Sequence, residues 1–97
     1  MSIKHMVFVE WKDGTDDAII DGFSSAVNAF PGQIDGVESV EFGKNFTDRA
    51  GNFTHCGVVT LRDKDALAGY GPHEAHQAAL AVAMPAVANI IVADIET

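Results

Sequence analysis

Apolar and polar residues begin to alternate at Ile3. From Ile3 to Trp11 (IKHMVFVEW) β-branched and aromatic side chains dominate, and Asp13-Gly14 closes the run as a turn, so this segment is predicted to be a strand. Thr15 or Asp16 then caps a helix whose first turn carries Asp16 and Asp17, which are favourable at the positive end of the helix dipole. Ile19, Phe23, Ala26, Val27 and Phe30 recur at helical spacing as one apolar stripe, and Pro31-Gly32 stops it. After a turn ending at Gly36, Val37 to Gly43 alternates as a second strand with Val40 and Phe42 on one face. Asn45 to Asn52 is polar and reads as a hairpin loop, so Phe53 to Leu61 is expected to pair antiparallel with the second strand. Asp63 to Tyr70 reads as a short helix broken at Gly71-Pro72, because proline disfavours helix in the residue before it. A longer helix is expected from about His73 to Ala88, with His76, Leu80, Ala83 and Val87 on one face and Pro85 loosening its last turn. Asn89 to Ile95 is the last predicted strand.

The order βαββαβ is the split-βαβ pattern, an α+β ferredoxin-like antiparallel sheet with both helices on one face. In the first strand Ile3, Val7, Val9 and Trp11 share one side while Met6 and Phe8 share the other; in the third, Val59 and Leu61 oppose Cys56 and Val58. A two-layer monomer leaves one of those apolar sides in water, and such a patch normally marks an interface. A second copy of the same sheet is the simplest cover, so a homodimer is expected. The 97 residues suffice for one hydrophobic core, and residues 1–97 are read as one domain.

Fourteen acidic side chains against six basic ones give a net charge of −8, with the basic residues scattered. A phosphate backbone or an anionic membrane surface would be repelled, so neither nucleic acid nor membrane is expected as a partner. The single Cys56 has no intramolecular disulfide partner, and Met1 to His5 lacks the apolar run of a signal peptide, which points to the cytoplasm. Ala78 to Ala93 is the most apolar stretch, but it contains Pro85 and Asn89 and is shorter than the roughly 20 residues that span a bilayer.

Four histidines bear on function, because imidazole titrates nearest neutral pH. His5 and His55 fall on the strand side that carries Val7, Val9, Val59 and Leu61, and His76 lies on the stripe of the longer helix. If that stripe covers the same sheet side, three imidazoles converge between helix and sheet with Tyr70 beside them. Each histidine taken singly is better read as a core or capping residue satisfied by the backbone; for the three together the two readings stand level, because they are costly without a cavity, water or ligand to serve them. A metal is not expected: His73 and His76 are three apart rather than four, so His73-Glu74-Ala75-His76 is not the zincin motif, and no further ligands are specified. Cys56 sits mid-strand among apolar neighbours and reads as structural. No hydrolase elbow, P-loop or dinucleotide fingerprint is present. Trp11, Phe23 and Phe30 read as core, and aromatic walls also suit a flat organic ligand.

The chain resembles the Dabb family of stress-responsive dimeric alpha-beta barrel proteins. The resemblance rests on Ile3-Lys4-His5-Met6-Val7, on Pro31-Gly32-Gln33-Ile34-Asp35-Gly36-Val37, on Phe53-Thr54-His55, on Tyr70 with His73 and His76, and on Val92-Ala93-Asp94. It implies a homodimer in which two four-stranded sheets wrap into a barrel. One plant branch of the family closes an aromatic ring by aldol condensation without metal or organic cofactor. By that resemblance His76 is a general base and Tyr70 a proton donor to the developing oxyanion, with His5 and His55 as further site residues. Two positions depart from the family pattern: Glu74 stands where a proline is usual between the histidines, and Phe53 where a tyrosine is usual before Thr54.

The combined expectation is a pocket lined by His5, Val7, Val9, Phe23, His55 and His73, with His76 and Tyr70 at its chemical end and no cofactor. It would bind a small aromatic or polyketide-like molecule. The alternative is a cofactor-free cyclase or isomerase, or, further off, a cofactor-independent monooxygenase.

Overall fold

A computed structural model describes all 97 residues. Strand β1 (Ile3–Trp11) is followed by α1 (Asp17–Asn28), β2 (Val37–Lys44), β3 (His55–Leu61), α2 (Lys64–Tyr70), α3 (Glu74–Ala83) and β4 (Val87–Glu96). The four strands form one sheet in the order β2-β3-β1-β4, every neighbouring pair antiparallel. This is the ferredoxin-like α+β fold.

Local chemistry sets the element ends. Asp16 accepts the backbone N–H of Ala18 at 2.9 Å and Asp63 that of Ala66 at 2.8 Å, so each caps a helix whose first amides lack partners. Strand β3 starts at His55, two residues later than the pattern predicts, because the Phe53 amide bonds Ala50 within the loop. The longer helix ends at Ala83. Pro85 sits in a separate 3-10 turn, Met84–Ala86, at a position where its missing N–H costs nothing. Val87 therefore belongs to β4, opposite Trp11, and not to the helical stripe.

One face of the sheet packs against the helices. Ile3, Val9, Val59 and Leu61 from the sheet meet Phe23 and Val27 from α1, Phe30 just after it and Ala83 from α3, all buried. The register arranges this face in rows: Asp94–His5–Val59–Val40, then Val92–Val7–Gly57–Phe42, then Ile90–Val9–His55–Lys44. On the opposite face Phe8, Ile91 and Ile95 are 37%, 48% and 48% exposed, beside Met6 and Val58, with no element covering them. No helix is long and apolar enough to cross a membrane.

Two glycines tie backbone shape to packing. Gly36, at φ +87°, ends the turn before β2, and a Cβ there would lie 2.4 Å from Ala66 Cβ. Gly32 has the same φ but open space around it. Both Gly32→Ala and Gly36→Ala carry the left-handed backbone cost of about 1–2 kcal/mol, and Gly36→Ala adds the collision with Ala66. Urea unfolding should rank Gly36→Ala clearly below Gly32→Ala; equal midpoints would contradict this packing.

Candidate ligand cavity and histidine cluster

Between the sheet and helices α1 and α3 lies a cavity of about 320 Å³, within the size range of small-molecule sites. Its walls are mostly apolar: Val7, Val40, Val59, Ile90 and Val92 from the sheet, Phe23, Val27 and Phe30 from α1 and its end, Ala79 and Leu80 from α3. Gly57 forms part of the floor. A Cβ there would lie 2.6 Å from the Glu41 carbonyl and 2.8 Å from Phe42 Cα, so only glycine lets β2 approach this closely and lay the Phe42 ring over the gap.

The polar groups gather in one row. Tyr70 closes α2, and its ring lies 4.5 Å from that of His76 and 5.4 Å from that of His5. His76 sits in the first turn of α3, where Nδ1–H donates to the Gly71 carbonyl at 2.9 Å. A carbonyl can only accept, so the proton of the neutral ring is fixed on Nδ1 and Nε2 keeps its lone pair. Burial holds the His76 pKa below the ordinary 6.5; the Gly71 bond works against this and the neighbouring His5 adds to it. Burial likewise pushes the Tyr70 phenol up to about 12, so it stays a donor. No buried polar side-chain atom lacks a partner, and no protein group bonds the Tyr70 hydroxyl, so that oxygen keeps accessible surface on a residue that lines the cavity. His5 donates Nδ1–H to Asp94 at 2.6 Å, which orients the ring and leaves Nε2 on the other side.

His5, Val7, Phe23, Tyr70 and His76 of the expected set all line the cavity. His55, Val9 and His73 do not. His55 is on the expected sheet side but one row beyond the cavity, behind Phe42, where Nδ1 meets Trp11 Nε1 at 3.2 Å. Val9 is wholly buried under the helices in that same row. His73 is the cap of α3, its Nδ1 accepting the Ala75 amide at 3.0 Å, a role its place after Gly71-Pro72 could have suggested. With Glu74 in the first turn of α3, the segment turns His76 inward and His73 into a backbone partner. Asp94 and Gly57 were missed. The first is visible only once β4 is set antiparallel to β1 opposite His5, and the second had its signal in a mid-strand glycine. No three histidine, cysteine, aspartate or glutamate side chains converge to hold a metal ion.

The Dabb model, described as the stress responsive A/B barrel domain, matches residues 3–97. The chain belongs to the Dabb family. No curated protein sequence matches it. Among solved structures it is similar to a dimeric ferredoxin-like protein of unknown function from Thermobifida fusca, with 26% identity, a TM-score of 0.87, and coverage of 100% of this chain and 92% of that one. A dimeric protein of unknown function and ferredoxin-like fold from Bacteroides fragilis is 20% identical at a TM-score of 0.87, covering 99% and 96%. A hydroxynitrile lyase from Passiflora edulis is 18% identical at a TM-score of 0.86, covering 97% and 91%. At such identities the latter two speak for the ferredoxin-like fold of this chain alone.

The depressed His76 pKa gives a signed expectation. The unfolded chain takes up the proton first, so stability contributed by neutral His76 is fully present above pH 6.5 and is lost as pH falls through the lower folded value; His55, also depressed chiefly by burial, acts in the same direction. The His76 ring protons should titrate by NMR with a midpoint below 6.5, and His76→Gln should reduce the acid loss of melting temperature. A midpoint above 6.5 would contradict the burial of the ring.

Proposed function

We propose that the protein is a cytoplasmic homodimer that binds a small, neutral, largely apolar molecule in the cavity of each subunit, with an oxygen of that molecule at Tyr70 and His76. The observation that carries this reading is an apolar cavity with all its polar side chains in one row and no lysine, arginine, aspartate or glutamate in its lining. Such a lining disfavours a phosphate or carboxylate and suits a ketone, whose oxygen accepts from the Tyr70 hydroxyl, or a phenol, whose hydroxyl also donates to His76 Nε2. The rings of Phe23, Phe30 and Phe42 offer flat apolar surface, which favours aromatic or polyketide-like ligands.

A second reading is favoured by the His76 tautomer. Nε2 of a neutral imidazole beside a phenol that stays protonated is the arrangement needed to move a proton from carbon. His76 takes the proton from the carbon next to a carbonyl, Tyr70 donates a hydrogen bond to the enolate oxygen as charge develops there, and the proton returns from His76 after rearrangement. His5, held by Asp94, faces the same end. This is the chemistry of a cofactor-free cyclase or isomerase.

The dimer is supported by the uncovered Phe8, Ile91 and Ile95 and by the dimeric state named for the Thermobifida fusca protein. Sedimentation at micromolar concentration should give twice the 10.3 kDa chain mass, and Phe8→Asp should yield a monomer. A wild-type monomer would contradict the pairing.

Acetophenone and related neutral ketones should raise the melting temperature, with a gain of about 2.7 kcal/mol at a hundredfold excess over Kd. Tyr70→Phe should weaken binding by about 0.5–1.5 kcal/mol, the worth of one hydrogen bond. The absence of stabilisation by any such compound would count against the binding reading. In D2O, bound acetophenone should exchange its methyl protons, and His76→Ala should slow this by roughly 10²–10⁴-fold. Binding without exchange would leave the binder and remove the catalyst.

A further inference from the structure

Behind the apolar end of the cavity lies a second aromatic layer that the proposed function does not use. Trp11 packs edge-on against Phe23 at 5.8 Å, Phe23 against Phe42 at 5.5 Å, and the His55 ring lies nearly parallel to Phe42 at 6.2 Å. Phe23 and Phe42 face the cavity; Trp11 and His55 stand behind them. The indole N–H can only donate, so the His55 Nδ1 it meets at 3.2 Å must carry a lone pair, and the ring's single proton sits on Nε2. The Thr54 hydroxyl lies 3.0 Å from the same nitrogen.

We propose that neutral His55 is a brace that holds Trp11 and, through Trp11, Phe23 and Phe42, the aromatic end wall of the cavity, and that protonating His55 releases this wall in mild acid. A protonated Nδ1 is a donor. It can turn to the Thr54 hydroxyl, but it can no longer accept from Trp11, whose N–H then loses its partner in a part-buried site. Stacking of the ring on Phe42 survives protonation, so the change starts at Trp11 and reaches Phe42 through Phe23. The charged groups facing the ring are Lys44, opposite it on β2, and Asp21 on α1; burial and, less strongly, Lys44 lower the His55 pKa below the ordinary 6.5, and Asp21 works against them. The proposal concerns the shape of the cavity and holds whether or not the cavity takes a ketone.

Trp11 is the only tryptophan, which makes the brace observable in the intact protein. In an NMR titration from pH 7.5 to 4.5, the Trp11 indole N–H and the ring resonances of Phe23 and Phe42 should shift together, at the midpoint of the His55 ring and below 6.5. His55→Gln, whose amide oxygen still accepts the indole N–H without titrating, should keep all three resonances constant, while His76→Gln should leave the shifts as in wild type. The brace is overturned if the Trp11 signal does not move, if Phe23 and Phe42 stay fixed while it does, or if the shifts persist in His55→Gln. The wild-type comparison of midpoints decides the matter even if His55→Gln does not fold.

Discussion

Strand β1 is hydrogen-bonded along both edges and carries apolar side chains on both faces, so neither face can be left to water without loss. Every other feature answers to that constraint. Helices α1 and α3 cover the side bearing Ile3, Val7 and Val9, and the side bearing Met6 and Phe8 has no cover within the chain. The helical cover is itself incomplete. Gly57 in the middle of the sheet and the alanines of α3 leave a gap where larger residues would have closed the core, and the cavity is that gap.

Placing ionisable groups in such a gap is costly unless they stay neutral or find partners. The three that face it do so by different means. Tyr70 remains a phenol because burial raises its pKa, His76 remains neutral because burial lowers its own, and His5 shares its Nδ1 proton with Asp94 at the rim, on the exposed edge strand. The lining thus carries donors and acceptors but no lysine, arginine, aspartate or glutamate, and the proposed preference for a neutral ligand over an anion rests on that. The −8 net charge of the chain resides outside this cavity.

Much of the fold was legible because its signals are local. A β-rich run bounded by Asp13-Gly14 gave β1 its ends, and Asp16 its helix cap, without any tertiary knowledge. Strand parity also put His5 and His55 on the helical face. What parity does not carry is the row. His55 pairs with Val9 and His5 with Val59, which sets the two rings two rows apart, about 14 Å at the usual strand rise, and only pairing register fixes this. The same gap hid Asp94, which matters because β4 runs antiparallel to β1 in the one register that sets it against His5. Pro85 differs in the other direction: the pattern predicts a kinked or loosened last turn, whereas the proline lies in a separate short turn after the helix has ended.

The space beside Tyr70 and His76 is an open apolar cavity and not a core that collapses in solution. Crystals pressurised with xenon distinguish the two, because xenon enters dry apolar cavities without needing a particular ligand chemistry. Bound xenon should appear between Val7, Phe30 and Leu80, with the Tyr70 hydroxyl free of any protein partner. A structure in which Phe23, Phe42 and Leu80 have closed over this space, or in which Tyr70 bonds another protein group and xenon is absent, would contradict the claim.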